Sequence, residues 1–233
     1  MKILSIIPAR SGSKGIKNKN IVDLNGKPLI YYSIKEALKI SDFNRVFVST
    51  DDPKIKSISE SYGCKVPFLR PEELAGDKIR TIDVVLDVLT VFKNKFNEEY
   101  DYVCLLQPTT PLRIKEDIIN CINIIRDRNR GAVVSLCKID EPHPHKMKVI
   151  ENNNVFPLIK GSDSSIPRQD LPPVYELNGA IYLFDTKTLF KEKSFYHKKT
   201  YPYIMPMERS VNINNGLDLE IAKILFRRKK SEK

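Results

Sequence analysis

A positively charged loop with two glycines follows the first apolar segment of the chain. Its basic residues, with no acid among them, are Arg10, Lys14, Lys17 and Lys19. Residues 10–19 therefore carry a local charge of +4. Gly12 and Gly15 let the backbone turn tightly and bring its N–H groups close to a ligand. Fixed cations and N–H donors at the end of a strand suit a polyphosphate.

The spacing of this loop differs from that of the two familiar phosphate loops. Neither G-x-x-x-x-G-K-[ST] nor G-x-G-x-x-G occurs in it. Its composition also suits a solvated turn that binds nothing, so composition alone leaves both interpretations open. Its position after a strand near the N-terminus favours a nucleotide site, because open α/β sheets bind ligands outside the carboxyl ends of their strands.

A second polar turn, residues 107–113, follows a later apolar run, residues 101–106. Two prolines fix this turn, and we expect it to place Gln107 and Arg113 at the same edge of the sheet as the first loop. A rigid turn with an amide at its start suits the recognition of the hydrogen-bonding edge of a nucleotide base. A plain strand-to-helix connection, with Arg113 bound to nearby carbonyl groups, fits the same residues equally well.

Two aspartates, Asp51 and Asp52, follow a third β-like run, residues 45–50. Carboxylates at the carboxyl end of a strand could bind a metal ion or a ribose. Asp52 also precedes Pro53, which is the arrangement of a helix N-cap. The sequence favours the cap, at the start of a helix that ends near Tyr62.

Strand and helix patterns alternate along the chain. The predicted strands are residues 3–8, 45–50, 65–69, 101–106, 132–137, 178–184 and 201–205. The predicted helices are one that begins near residue 28, then 53–62, 81–92, about 116–127, and a last one that runs into the basic C-terminal residues. This alternation predicts an α/β fold with a doubly wound, mostly parallel sheet. A chain of 233 residues with 41% hydrophobic content suits one such domain.

The alternation stops between residues 139 and 173. This stretch holds several prolines and two short β-like pieces, 147–150 and 155–159, which is typical of a protruding hairpin. His143 and His145 are weak evidence for a metal site, because no third ligand accompanies them. We therefore expect a small β-rich excursion from the main fold.

The net charge of +10 does not indicate nucleic-acid binding. The first loop and residues 226–233 each carry +4, and the rest of the chain is nearly neutral, so no basic face remains. No apolar run approaches the roughly 20 residues of a membrane span, and the N-terminus lacks the h-region of a signal peptide. The cysteines form no C-x-x-C pair, which is typical of reduced core residues in a cytoplasmic protein. They are Cys64, Cys104, Cys121 and Cys137.

Six short segments, in order along the chain, resemble the motifs of the acylneuraminate cytidylyltransferases, also called CMP-sialic acid synthetases. They are P-A-R-S-G-S-K-G from residue 8 with Lys19 and Asn20, S-T-D from 49, R-P from 70, Q-P-T-T-P-L-R from 107, P-R-Q from 167 and N-G-A-I-Y from 178. Together they cover almost the whole chain. The resemblance implies a single cytidylyltransferase domain, residues 1–233, with the Rossmann-like or GT-A-like fold of nucleotidyltransferases.

The resemblance also implies a reaction and a nucleotide site. In that family the anomeric hydroxyl of a nine-carbon 2-keto sugar acid attacks the α-phosphorus of CTP, and pyrophosphate leaves. The residues that match the CTP site are Arg10, Ser11, Gly12, Ser13, Lys14, Gly15, Lys19, Asn20, Arg70, Thr81 and Gln107. The charge that builds on pyrophosphate needs preorganised cations, so the catalytic role falls to Arg10, Lys14 and Lys19.

The acceptor site that the resemblance implies draws on several parts of the chain. Its residues are Gln107, Thr109, Lys146, Arg168, Gln169, Tyr175, Asn178 and Gly179. Gln107 could serve either the base or the sugar acid. Lys146 and Arg168 match basic residues that the family lends to the neighbouring subunit, where Arg can grip a carboxylate bidentately. We therefore expect a homodimer built around residues 139–173. A surface pair without a ligand is the alternative for these two residues.

The sequence departs from the family pattern at the metal site. Family members commonly carry D-x-D near the C-terminus, which holds Mg²⁺, whereas this chain has Asn212 and Asn214. Amide oxygens can bind a hard cation but bring no negative charge. We expect Mg²⁺ dependence, with the ion held largely by CTP phosphates and water and supported by Asn212 and Asn214, or with Asp218 or Asp51 taking part. A helix N-cap at Asn214 or Asn215 is the alternative.

Two other functions fit parts of the sequence. A ketodeoxyoctonate cytidylyltransferase would share the chemistry, although those enzymes resemble the first loop less well and lack the turn at residues 107–113. A non-catalytic module that binds nucleotide or nucleic acid would share only the first loop. Release of pyrophosphate from CTP that depends on added sugar acid distinguishes the enzymes from such a module.

Overall fold

The computed structural model describes residues 1–13, 15–162 and 165–231, and of residues 229–231 it describes the backbone only. Its strands are β1 (Ile3–Pro8), β2 (Asp23–Leu24), β3 (Lys27–Pro28), β4 (Phe43–Ser49), β5 (Tyr102–Leu105), β6 (Ala132–Ile139), β7 (Lys148–Glu151), β8 (Asn154–Pro157), β9 (Val174–Asp185) and β10 (Thr200–Met205). Its α-helices are α1 (Leu29–Ala37), α2 (Pro53–Ser61), α3 (Thr81–Phe96), α4 (Lys115–Arg128), α5 (Thr186–Glu192) and α6 (Gly216–Ser231). Strands and helices alternate through most of the chain, as the sequence pattern predicts.

A six-stranded sheet with the order β10-β6-β9-β5-β1-β4 forms the centre of the fold. β1 pairs in parallel with β4 and β5, and β6 pairs in parallel with β10. β9 is antiparallel to both of its neighbours, β5 and β6. The prediction of an α/β fold with a mostly parallel sheet is therefore confirmed. The carboxyl ends of β1, β4 and β5 meet at one edge, so the loops that follow these strands lie together.

Buried apolar side chains on both faces of the sheet hold the helices in place. Most of β1 is inaccessible to solvent, which is expected of a parallel strand covered on both faces. The apolar stripe of α3, which includes Val85 and Phe92, belongs to the same core. Phe47 of β4 packs against Phe92 with ring centroids 5.2 Å apart. The predicted core role of the α3 stripe is confirmed.

The structure contradicts the prediction of a strand at residues 65–69, which has no strand pairing. Val66 is buried, and Phe68 stacks on Phe47 with ring centroids 4.6 Å apart. The alternating pattern therefore reflects packing onto the sheet. Pro67 has no N–H to donate to the free side of the edge strand β4.

Several element bounds differ from those predicted. Helix α3 continues to Phe96, four residues beyond the predicted end. Helix α5 and the small β2–β3 hairpin were not predicted, because each is too short to show a periodic apolar pattern. Asp185 caps α5 by accepting a hydrogen bond from the Thr188 N–H at 2.8 Å. The predicted cap at Asp52 is confirmed, since its carboxylate accepts from the Lys54 N–H at 2.7 Å.

The predicted hairpin in residues 139–173 is present as the antiparallel pair β7–β8. Its turn passes through Asn152 and Asn153, both with positive φ, a conformation that asparagine tolerates well. Five apolar side chains of this hairpin and the residues just after it are exposed. Within the described ranges, no helix has the length and apolar character needed to cross a membrane.

Candidate functional site

A cleft of about 370 Å³ lies at the carboxyl edge of the sheet. Most of the side chains predicted to bind CTP line it. These predicted residues are Arg10, Ser13, Gly15, Lys19, Asn20, Arg70, Thr81 and Gln107. Thr109, predicted for the acceptor, lines the same cleft. Gly12 is exposed, and Lys14 lies outside the described residues. The sequence patterns around β1, β4 and β5 thus converge in one place.

Two side chains hold the first loop against the sheet. Ser11 donates hydrogen bonds to Asp51 from its N–H at 3.0 Å and from its hydroxyl at 2.5 Å. Asn20 is buried, and its amide donates to the Arg10 carbonyl oxygen at 2.9 Å. These hydrogen bonds fix the positions of Ser11 and Arg10. Of the predicted nucleotide residues, Ser11 and Asn20 shape this loop.

The first loop also packs against the segment that precedes α6. A Cβ added at Gly15 would lie 2.2 Å from the Asn214 carbonyl oxygen, so only glycine allows this approach. Lys19 donates from Nζ to the carbonyl oxygens of Ile213 at 3.1 Å and Asn214 at 3.4 Å. Burial lowers the pKa of Lys19, Asp218 opposes this shift, and Arg10 adds to it. Its ammonium group thus lies among polar groups at the wall of the cleft.

Arg70 brings a third cation to the cleft from the chain that follows α2. Its Nε donates to the Ser49 hydroxyl at 3.1 Å, and its Nη2 donates to the Ser49 carbonyl oxygen at 2.6 Å. Burial lowers the pKa of Arg70 to about 10, against the opposing charge of Asp51. The guanidinium is therefore fixed at the end of β4. Together with Arg10 and Lys19, it makes the cleft suited to an anion with several charges.

The turn at residues 107–113 is held from beneath by a buried arginine. Arg113 donates to the carbonyl oxygens of Gln107, Thr110 and Ala180 and to the Ser33 hydroxyl. Burial lowers the pKa of Arg113 to about 10. The alternative in which Arg113 binds carbonyl groups is therefore confirmed. This support leaves the Gln107 side chain at the cleft wall, where an amide can read a polar edge.

Asn178 and Gly179 lie in β9 behind Gln107. The side-chain Oδ1 of Asn178 accepts from Ser135 Oγ at 2.6 Å and from the Ala180 N–H at 3.0 Å, and its Nδ2 donates to Ser210 Oγ at 2.9 Å. A Cβ added at Gly179, where φ is +72°, would lie 2.7 Å from Gln107 Oε1. Asn178 thus ties three parts of the chain together, and Gly179 makes room for Gln107. Their role toward an acceptor stays a prediction.

A second cleft of about 580 Å³ lies at the excursion. Arg168 and Gln169 line it, and no lining residue is shared with the first cleft. Arg168 pairs with Asp140 at 2.7 Å, and Lys146 pairs with Glu141 at 3.2 Å. The predicted acceptor residues of this subunit therefore fall into two separate groups.

The remaining predicted residue of the excursion side is exposed, and the His143 ring has internal partners. Tyr175 begins β9 with 46% of its surface exposed. His143 is buried, with Nε2 3.0 Å from the Pro172 carbonyl oxygen, and its Nδ1 accepts from the His145 N–H at 3.2 Å. No group of three or more histidine, cysteine or acidic residues in the described ranges could hold a metal ion.

The residues predicted for the metal differ in how they are engaged. Asp218 Oδ2 accepts from the N–H groups of Asn214 at 2.8 Å and Asn215 at 3.1 Å, and Asn215 Oδ1 accepts from the Asp218 N–H at 3.1 Å. This reciprocal pattern is a capping box at the start of α6. Asn215 is therefore the N-cap. Asn212 Oδ1 is buried and has no hydrogen-bond partner in the described chain, so it fits one oxygen ligand of a hard cation.

The sequence patterns missed one wall of the cleft, the loop of residues 72–80. Leu74, Gly76 and Ile79 line the cleft, and Asp77 pairs with Arg10. A signal was available, because the predicted site residues Arg70 and Thr81 flank this loop. Any chain that connects two residues of one cleft must pass close to it.

The chain is similar to a known protein family along nearly its whole length. Residues 4–220 match the family described as cytidylyltransferase. The whole chain is 33% identical to the N-acylneuraminate cytidylyltransferase of Escherichia coli and covers 54% of it, so it spans about half the length of that relative. It is 34% identical to the pseudaminic acid cytidylyltransferase of Campylobacter jejuni. It is 35% identical to the CMP-N,N′-diacetyllegionaminic acid synthase of Legionella pneumophila. Each of the last two matches covers 97% of both chains.

A solved structure shares the fold. It is a CMP:2-keto-3-deoxy-manno-octonic acid synthetase in complex with CTP, with a TM-score of 0.71 over 98% of this chain and 100% of that one. The sequence identity is 18%, so this likeness concerns the fold alone. The family match spans nearly the whole chain, and full-length relatives exceed 30% identity. The chain therefore belongs to the cytidylyltransferase family that includes the N-acylneuraminate cytidylyltransferases.

Proposed function

We propose that this protein transfers CMP from CTP to the anomeric hydroxyl of N-acylneuraminate or a related nonulosonic acid and releases pyrophosphate. The observation that carries the proposal is the convergence of Arg10, Lys19 and Arg70 in one cleft beside Gln107. Three cations suit a triphosphate, and an amide suits a base edge. The synthetase that shares this fold holds CTP, which supports the same nucleotide here.

The cleft residues would act mainly by electrostatics. The acceptor oxygen forms a bond to the α-phosphorus, the bond from that phosphorus to the bridging oxygen breaks, and the hydroxyl loses its proton. Negative charge builds on the departing pyrophosphate, and Arg10 and Lys19 would stabilise it as cations at the wall of the cleft. Gln107 would orient the nucleotide from the rigid turn. The rate gain then comes from cations and donors placed around the departing phosphates.

The chemistry of the acceptor limits the choice of the sugar acid. The relatives that match this chain end to end are named for pseudaminic acid and N,N′-diacetyllegionaminic acid, and a third is named for N-acylneuraminate. All three are nine-carbon keto sugar acids with a carboxylate. We propose this class as the substrate, with the eight-carbon ketodeoxyoctonate as the alternative that the fold neighbour favours.

A panel of sugar acids tests the proposal directly. The full chain is incubated with CTP, Mg²⁺ and each of N-acetylneuraminate, legionaminate, pseudaminate and ketodeoxyoctonate, and pyrophosphate release is measured. We expect release that requires one nine-carbon acid, and much slower release when ATP, GTP or UTP replaces CTP. If the protein binds CTP but releases no pyrophosphate with any of these acids, it is a nucleotide-binding module rather than an enzyme of this class. Release with ketodeoxyoctonate alone would favour the alternative enzyme.

The excursion is proposed to form a homodimer that completes the acceptor site. Its exposed apolar side chains include Ile150, Val155 and Phe156, with 75%, 65% and 45% of their surfaces exposed. Exposed apolar surface of this kind marks association sites. In such a dimer, Arg168 and Lys146 of one subunit would serve the acceptor in the cleft of the other. Sedimentation of the full chain tests this proposal, and a monomer at all concentrations would contradict it.

Replacing Arg168 tests the acceptor role of the excursion. We expect Arg168→Ala to raise the KM for the sugar acid about tenfold, because a charge-assisted hydrogen bond to its carboxylate is lost. The KM for CTP and the kcat should stay close to those of the unaltered protein. Arg130→Ala, the same change at an exposed position outside the cleft, is the control. An unchanged acceptor KM in Arg168→Ala would mean that Arg168 does not contact the carboxylate of the sugar acid.

Mg²⁺ is proposed as the cofactor, because a divalent cation neutralises triphosphate charge when it is bound. Asn212 fits as one of its oxygen ligands, and phosphate oxygens and water would supply most of the others. We expect the double substitution Asn212→Asp/Asn214→Asp to lower the Mg²⁺ concentration for half-maximal rate at least about fivefold, since carboxylates add charge that amides lack.

A Mg²⁺ titration at fixed CTP measures this effect. The matched control is Asn152→Asp/Asn153→Asp, which adds the same charge at the hairpin turn, away from the cleft. A change of the same size in the control would mean that net charge, not local ligation, is responsible. Unchanged metal dependence in the Asn212/Asn214 variant would mean that the ion binds elsewhere.

A further inference from the structure

We propose that Asp77 is a counter-ion that pairs with Arg10 until a triphosphate displaces it. Nucleotide binding then releases the loop of residues 72–80 from the first loop. This inference rests on the proposed function, because it requires the cleft to bind CTP. It adds to that function a residue that opposes nucleotide binding in the free protein.

The first step of the argument is the contact itself. Arg10 Nη2 lies 2.6 Å from Asp77 Oδ1, and Arg10 Nη1 donates to the Ala75 carbonyl oxygen at 3.3 Å. Both terminal nitrogens of the guanidinium are therefore engaged by the same loop. A phosphate group takes Arg most strongly through two parallel N–H donors. A phosphate group that takes Arg10 through these two terminal nitrogens would displace their contacts with residues 75–77.

The second step is the position of the loop. Leu74, Gly76 and Ile79 line the same cleft as Arg10 and Lys19 of the first loop. The backbone hydrogen bonds from Ala75 to Glu72 and from Ile79 to Gly76 stay within the loop of residues 72–80. Arg10 joins this loop to the first loop. The ion pair thus connects two segments that line the cleft.

The third step is the energy involved. The two side chains keep 32% and 38% of their surfaces exposed, so solvent screens the pair and limits its strength. A carboxylate with one charge is a weaker partner for Arg10 than a triphosphate, which carries several charges and meets Lys19 and Arg70 at the same time. The pair is therefore weak enough for a triphosphate to displace it. Its removal should tighten nucleotide binding.

The experiment measures nucleotide affinity by titration calorimetry on the full chain. We expect Asp77→Asn to bind CTP about three- to fivefold more tightly, the range for a half-exposed ion pair. The affinity for CMP should not change, because CMP lacks the β- and γ-phosphates, which compete with Asp77 for Arg10. Asp83→Asn is the matched control, since Asp83 pairs with Arg80 at 2.7 Å in the first turn of α3. It removes the same charge and should leave the CTP affinity unchanged.

A double substitution assigns the effect to the ion pair. In an Arg10→Ala background, Asp77→Asn should no longer tighten CTP binding, because the competing contact is already absent. Weaker or unchanged CTP binding in Asp77→Asn overturns the inference, as does equal tightening in Asp83→Asn or toward CMP. Persistence of the effect in the Arg10→Ala background also overturns it. If the unaltered protein binds no CTP, the proposed function fails together with this inference. If it binds CTP but the variants do not behave as expected, only this inference fails.

Discussion

Lys19→Ala is expected to lower kcat/KM at least about 100-fold, which corresponds to about 3 kcal/mol of transition-state stabilisation. Lys19 lines the cleft and is held by the carbonyl oxygens of Ile213 and Asn214. Its charge is therefore fixed before the reaction begins, and no reorganisation is needed when charge builds on pyrophosphate. Alanine removes that charge and leaves two carbonyl oxygens facing the phosphates, which makes the site less favourable than a neutral one.

The measurement is steady-state pyrophosphate release with the preferred sugar acid, together with the thermal midpoint of each variant. Lys17→Ala is the matched control, because Lys17 is exposed in the same loop and does not line the cleft. We expect the control to stay within about threefold of the unaltered protein, as an exposed charge is screened by solvent. Near-normal turnover in Lys19→Ala, with an intact fold, would exclude this lysine from the mechanism.

The meeting of Arg10 and Gln107 in one cleft could be predicted because its signals are local. β1 is an apolar run that must be buried, and the charged residues directly after it must leave the core at the end of that strand. The same argument applies to β5 and Gln107. Parallel strands end at one edge, so two local signals were enough to bring Arg10 and Gln107 together.

Contacts between distant parts of the chain could not be predicted in this way. The approach of Gly15 to Asn214 joins opposite ends of the chain, and neither residue type reveals its partner. The Arg10–Asp77 pair has the same character. Asn178 illustrates a further limit, because an asparagine in a motif can use its polar atoms for internal hydrogen bonds. Local composition identifies which residues can do chemistry, and the tertiary contacts decide how they are held.

Gly15→Ala is expected to lower kcat/KM by about two orders of magnitude, although it adds a single methyl group. The new Cβ would lie 2.2 Å from the Asn214 carbonyl oxygen, whereas ordinary contact begins at 3.4 Å. The neighbour is backbone and cannot rotate away, so the first loop and the segment before α6 must separate by roughly 1 Å. A displacement of this size in a catalytic group can cost about 100-fold in rate. The same separation weakens the hydrogen bonds that hold Lys19.

The control for this prediction is Gly216→Ala, the same change at the first residue of α6, where a Cβ would meet nothing within 4 Å. We expect its kcat/KM to be unchanged and its thermal midpoint to be equal or slightly higher, because alanine restricts the unfolded chain. Gly15 is exposed, so Gly15→Ala should lose activity with little loss of stability. Full activity in Gly15→Ala would mean that the contact between the first loop and Asn214 is not needed to position the cations. A large drop in its thermal midpoint would instead mean that the contact supports the fold, and the loss of rate would then say nothing specific about the site.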